Sequence, residues 1–136
     1  NSTVPHLTII LGASYGAGTY AMSGRAFDNK FTFLWPSAKI AVMGPKQIAG
    51  VMSIVRRARA ARKGENFDEK EDAQMVAFAE KWQEEGSLAL RATGAISDDG
   101  IIDPRDTREV ISFALKTCSE AKKRKLKPNS FGIARM

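Results

Sequence analysis

The stretch "LGASYGAGTYAM", Leu11 to Met22, decides how this chain is read. It carries three glycines and three alanines among twelve residues, with Tyr15 and Tyr20 set between them. It follows an apolar run, Leu7-Thr8-Ile9-Ile10-Leu11, that reads as a short buried strand ended by glycine. A chain that leaves a strand and spends so many positions on small or absent side chains either turns tightly or lets another group come close to its backbone. The second option has a chemical meaning. Backbone N–H groups left bare by their side chains can point at a developing negative oxygen, and a helix starting there sets its dipole behind them. The first option, a helix packed closely on a strand, stays open on spacing alone.

Other loop chemistries fit less well. Gly16, Gly18 and Ala21 match the looser G-x-G-x-x-A form of a dinucleotide loop, but no second strand ending in an acidic residue follows about 20 residues on. No Gly-Lys-Ser/Thr follows, so this is not a Walker loop. "GASYG", Gly12 to Gly16, matches G-x-S-x-G with Ser14 as nucleophile. The sole histidine, His6, lies upstream of Ser14, whereas that chain order needs it downstream.

Outward from the loop, Gly12 to Gly18 reads as a turn and Thr19 to Arg25 as a short helix. "FTFL", Phe31 to Leu34, is a second strand, broken by Trp35-Pro36. Lys39 to Met43 is a third, stopped by Gly44-Pro45. Pro45 is placed to open a helix with Ile48, Val51, Met52 and Val55 on one face and Gly64 as its stop. Asp68, with Glu71 three residues on, has capping-box spacing for a second helix whose apolar face is Met75, Val76, Phe78, Ala79 and Trp82. Ser87 to Ala92 reads as another helical turn, and "AISDDGIIDP" as strand-turn-strand. Asp106 or Thr107 caps a last helix, Arg108 to about Ala121, with Val110, Ile111, Ala114 and Leu115 apolar. The tail ends in an apolar hook, Phe131 and Ile133, and no internal repeat is visible. Short strands alternating with helices argue an α/β fold, with few strands for a complete doubly wound domain.

The bulk composition bounds the partners. With 136 residues, 43% hydrophobic and 26% charged, the chain suits one globular domain. The net charge of +6 sits in two clusters, Arg56 to Lys63 and Lys122 to Lys127. The first could grip phosphates of coenzyme A or nucleic acid, but no aromatic residue within it could stack on bases. A solvated helix face or a subunit interface is the preferred reading, and a solvated helix end that of the second. One cysteine, Cys118, permits neither an internal disulfide nor a cysteine-built metal site. Asp98, Asp99, Asp103 and Asp106 lack the EF-hand pattern and read as turn and cap residues. No apolar run is long enough to cross a bilayer, and no signal peptide is visible. The chain opens at Asn1 and enters a strand almost at once, which suggests a piece of a longer protein.

Four blocks in order, "GASYGAGTYAMSGRAF", "FLWPSAKIAVMGPKQIAGVM", "DDGIIDPRDTREV" and the terminal "FGIARM", resemble the C-terminal half of the carboxyltransferase (β) subunit of biotin-dependent acyl-CoA carboxylases. The resemblance covers nearly the whole chain. The "SYGAG-x-Y" form is most similar to the methylcrotonyl-CoA and geranyl-CoA carboxylase branch, where propionyl- and acetyl-CoA carboxylase subunits have a "YGGAY"-like block. The resemblance implies a crotonase-like (ClpP-type) ββα superhelix, with residues 1–136 the C-terminal part of the domain and the acyl-CoA-binding half absent. It implies carboxyl transfer from carboxybiotin to an acyl-CoA, with Ala17 and Gly18 as a backbone oxyanion hole. The biotin-binding set becomes Gly16, Ala17, Gly18, Tyr15 and Tyr20, although packing is the preferred role of the two tyrosines. Trp35, in the second block, is expected to be structural. Biotin on a partner carrier is the implied cofactor, with no metal in this chain. The implied partners are the acyl-CoA, a biotin carboxylase/biotin carrier α subunit and further copies of the chain, as in the family's hexamers, with no nucleic acid and no membrane. The implied compartment is the cytoplasm of a bacterium or the mitochondrial matrix of a eukaryote. The alternatives are a propionyl- or acetyl-CoA carboxylase β subunit, a biotin-independent crotonase-fold CoA enzyme such as a decarboxylase, and a basic nucleic-acid-binding module.

Overall fold

A computed structural model describes residues 4–125. The chain is built from a repeated unit of two strands and a helix. The first unit is β1 (Leu7–Ile10), β2 (Ala13–Tyr15) and α1 (Ala17–Ala21); the second is β3 (Phe31–Leu34), β4 (Lys39–Ala41) and α2 (Pro45–Lys63). β1 pairs in parallel with β3, Leu7 opposite Phe31 and Ile10 opposite Leu34. β2 pairs in parallel with β4, Ala13 opposite Lys39 and Tyr15 opposite Ala41. Each unit therefore adds one strand to each of two ladders, which is the stacking of a ββα superhelix. A third layer begins where Ile101 bridges Leu34 in parallel.

This repeat is invisible in the letters because β2 lies inside the glycine-rich stretch. Ala13-Ser14-Tyr15 has no β-branched residue, yet the Lys39 N–H donates to the Gly12 carbonyl and the Gly16 N–H to the Ala41 carbonyl, each at 3.1 Å, tying both ends of the strand to β4. Helix α1 starts at Ala17 rather than Thr19 and ends at Ala21, with a separate 3-10 turn at Arg25–Phe27. β4 stops at Ala41 rather than Met43. Ser87-Leu88 separates α3 (Glu69–Gly86) from α4 (Ala89–Gly94), because the Ile40 N–H takes the Ser87 carbonyl at 2.8 Å and Leu88 bridges Lys39. In "AISDDGIIDP" only Ile101 reaches a ladder. Helix α5 spans Thr107–Lys123; the expected hook at Phe131 and Ile133, the block "FGIARM" and the last residues of the second basic cluster lie outside the described residues.

β3 is the axis of the core. Leu34 joins Ile10, Ala38 and Ala89 in one buried cluster, while Phe33 joins Ile102 and Ala114 in another, so neighbouring residues of one strand serve two clusters. Trp35 carries the second cluster to α5, its indole Nε1–H donating to Thr107 Oγ1 at 3.0 Å, which bears out a structural role for Trp35. Asp68 caps α3, its carboxylate accepting from the Lys70 and Glu71 N–H groups at 2.8 and 3.2 Å. The return half of a capping box is not made, because the Glu71 carboxylate turns to Arg56.

The α2–α3 hairpin shows where Arg56 and Arg57 of the first basic cluster go. Arg56 pairs with Asp72 and Glu71, both at 3.1 Å; Arg57 pairs with both oxygens of Glu69 and stacks on Phe67. Asp72 is buried and also accepts from Ser53. These arginines hold two helices together, which removes them from a phosphate-gripping surface. The expected apolar stripes behave differently. Ala79 is buried, but Val51, Met52 and Val55 of the first stripe and Phe78 and Trp82 of the second are exposed, so much of both stripes stays uncovered among the described residues.

Candidate active site

The candidate site is the turn from β2 into α1. Gly16 sits at φ 61° and ψ −141°, a backbone region that residues with a side chain avoid. A Cβ there would also stand 3.1 Å from the Val42 carbonyl oxygen. Gly16 is thus a glycine because the turn demands it. Its N–H is used on β4, and its carbonyl accepts the Thr19 N–H at 3.1 Å.

The next two N–H groups have a different fate. Ala17 and Gly18 are the first two residues of α1, both are exposed, and neither N–H meets a protein acceptor among the described residues. A helix always leaves its first N–H groups unpaired. Here the two residues that carry them are exposed, and a Cβ on Gly18 would meet nothing within 4 Å. Packing inside this chain therefore does not require glycine at position 18. The arrangement leaves room for an oxygen to approach two backbone donors at the positive end of α1.

A cavity of about 730 Å³ opens beside this turn, between the two ladders. Gly16, Thr19 and Tyr20 line it, while Tyr15, Ala17 and Gly18 lie outside its lining. The donors thus sit at its edge and not on its floor. Tyr20 is exposed, with its ring edge-on to Phe27 at 6.1 Å. Tyr15 is half-buried in β2, and a Cβ on Gly44 would meet its ring at 3.5 Å, so packing describes Tyr15 better than Tyr20. The Ser14 hydroxyl bonds the Thr19 hydroxyl at 2.8 Å. Ser14 lies within a strand instead of on a strand-to-helix elbow, which argues against a nucleophile there.

Two cavity residues left no mark in the sequence. Arg25 is the one charged residue in the lining, at the start of the 3-10 turn. Ile96, 79% exposed, stands at φ 57°, a left-handed conformation costly for a β-branched residue. It ends α4, its N–H on the Thr93 carbonyl and the Ser97 N–H on the Ala92 carbonyl, where glycine or asparagine is usual. The acidic run is spent on structure: Asp98 accepts from Thr93 and the Gly100 N–H, Asp99 from the Thr32 N–H, and Asp103 from the Arg105 N–H. Asp106 precedes α5 without capping it through its side chain. Among the described residues no helix is long and apolar enough to cross a membrane.

Comparison with known proteins identifies the family of the chain. The carboxyl transferase domain family matches residues 1–132. The chain is 51% identical to the "Probable biotin-dependent acyl-coenzyme A carboxylase beta2 subunit" of Mycobacterium tuberculosis, covering 100% of this chain and 25% of that protein. It is 42% identical to the mitochondrial methylcrotonoyl-CoA carboxylase beta chain of Arabidopsis thaliana, over 98% of this chain and 22% of that one. Among solved structures, the β subunit of geranyl-CoA carboxylase from P. aeruginosa superposes with a TM-score of 0.83 at 42% identity, over 100% of this chain and 25% of that one. The transcarboxylase 12S hexamer matches with a TM-score of 0.67 at 32% identity, over 96% and 23%. The chain therefore spans about a quarter of the length of these relatives.

Proposed function

This chain belongs to the carboxyl transferase domain family, with its crotonase-like fold, and from that premise we propose that it is the C-terminal part of the carboxyltransferase subunit of a biotin-dependent acyl-CoA carboxylase. The observation that carries the reading is the pair of N–H groups on Ala17 and Gly18 at the start of α1, neither met by an acceptor among the described residues, with no side chain on Gly18 to cover them.

Carboxybiotin, when bound, would supply the carboxyl group and present a ureido oxygen that needs hydrogen-bond donors. The Ala17 and Gly18 N–H groups would donate to that oxygen, preorganised by α1 and by the forced turn at Gly16. Such donors need no titration and no rearrangement, so stabilisation is greatest where charge develops. Losing one such donor costs about 2.7–4 kcal/mol, or 10²–10³ in rate. The exposed ring of Tyr20 stands at the cavity edge as a wall for the bound group. Identities of 51% and 42% to acyl-CoA and methylcrotonoyl-CoA carboxylase β subunits support a branched, unsaturated acyl-CoA. The acyl pocket itself, a biotinylated α subunit and assembly into a hexamer belong to the same proposal; no metal is invoked. Biotin dependence, named in the M. tuberculosis relative, supports this reading over a decarboxylase.

The test is carboxylation of methylcrotonyl-, geranyl-, propionyl- and acetyl-CoA by the intact subunit with its biotinylated partner, beside a Gly18→Val variant. We expect activity on a branched unsaturated substrate, lowered at least 100-fold in a variant that stays folded. No activity on any substrate would overturn the reaction, and an unaffected variant would overturn the role of the loop.

A further inference from the structure

We propose that Arg25 recognises the carboxylate of the carboxylated acyl-CoA, an inference that rests on the carboxyltransferase reading. The cavity beside α1 is lined mostly by aliphatic side chains and backbone, and Arg25 is its one charged residue. A lone cation at the rim of an apolar recess suits an oxyanion carried on an apolar body.

The backbone fixes where this cation stands. A Cβ on Gly24 would fall 2.6 Å from the Thr19 carbonyl oxygen, so Gly24 lies flat on the last turn of α1 and Arg25 follows directly at the rim. The guanidinium is nearly free. Its side chain is 47% exposed and among the described residues touches a single acceptor, Asp99 Oδ1, at 3.5 Å, the longest ion pair there. Asp99 does not depend on that contact. Its Oδ2 accepts the Thr32 N–H at 2.7 Å, and its own N–H donates to the Thr32 carbonyl at 2.8 Å. A strut between two loops would be shorter and would matter to both ends. Arg25 instead keeps its remaining donors unassigned, in the planar fork that matches a carboxylate.

In the proposed reaction the acyl-CoA differs from its product by one carboxylate. A residue that binds this group distinguishes product from substrate. The other oxyanions at hand are the phosphates of coenzyme A, and the experiment separates them. In the intact subunit, binding of coenzyme A, methylcrotonyl-CoA and its carboxylated product is measured by calorimetry for wild type, Arg25→Met, Arg25→Lys and Asp99→Asn. We expect Arg25→Met to weaken product binding tenfold or more while leaving the other two within twofold. Arg25→Lys should recover part of the loss, and Asp99→Asn should leave product binding unchanged or tighter. Equal weakening of all three ligands would assign Arg25 to a phosphate and overturn the inference. So would no change, or an Asp99→Asn variant that reproduces Arg25→Met, which would make Arg25 a strut. Wild-type turnover in the same preparation tests the carboxyltransferase reading separately, because ligand binding is read without it.

Discussion

Two glycines two residues apart in the same turn should respond to alanine with opposite signs. Gly16→Ala places a side chain at φ 61° and ψ −141° and drives its Cβ to 3.1 Å from the Val42 carbonyl oxygen. Backbone strain of this kind costs about 1–3 kcal/mol. Loss of unfolded-state entropy on replacing glycine returns about 0.4–1 kcal/mol, so the net loss is about 1–2 kcal/mol. Gly18→Ala meets no atom within 4 Å and sits inside a helix. Alanine is favoured over glycine there by up to about 1 kcal/mol. The gap between the variants is therefore about 2 kcal/mol, with wild type between them. Thermal unfolding of the intact subunit at one fixed concentration reads the order directly. A Gly18→Ala protein destabilised as much as Gly16→Ala would refute the claim that position 18 opens on free space.

Asp68→Ala should cost about 1 kcal/mol by leaving the Lys70 and Glu71 N–H groups unsatisfied, and hydrogen exchange at the start of α3 should speed up. Trp35→Phe removes the bond to Thr107 and should cost about 1 kcal/mol, read by denaturant unfolding. Lys39 has its pKa raised above 10.5, first by its hydrogen bond and then by its attraction to Glu84. Its stabilising contribution is complete below 10.5 and disappears as pH rises through the raised value; Glu84→Gln should lower the Lys39 titration seen by NMR. Asp103 has its pKa lowered below 3.8 by the Arg105 side chain and backbone N–H, so its contribution is present above 3.8 and disappears as pH falls through the lowered value. Arg105→Ala should return part of that shift in a carboxylate NMR titration.

Elements carried by local chemistry were legible in the letters. β1, β3, the Pro45 start and Gly64 stop of α2, and the Asp68 cap each rest on two or three neighbouring residues, and each stands where the spacing puts it. β2 was not legible, because three small or aromatic residues become a strand only when β4 supplies the ladder. The ββα repeat went with it. The exposed Phe78 and Trp82 mark a second limit, since periodicity tells which face is apolar and not what covers it. At the site, the glycines announced a bare turn and the ordered blocks the family. Arg25 and Ile96 gave no signal, since one matters through a cavity formed by distant segments and the other through a dihedral angle.

The stacking of ββα units also sets an order of fraying. Each layer touches the next through a single strand in each ladder, and beyond β3 the paired strand gives way to the bridge of Ile101 to Leu34, held by the Leu34 N–H on the Gly100 carbonyl at 3.0 Å and the Ile102 N–H on the Leu34 carbonyl at 2.8 Å. In such nearest-neighbour architectures a layer held on both sides opens later than one held on a single side. Leu34, with no exposed surface, is shared by the second layer and the third. Its amide should be among the slowest to exchange in the chain, and a lesion there should unzip the layers on both sides.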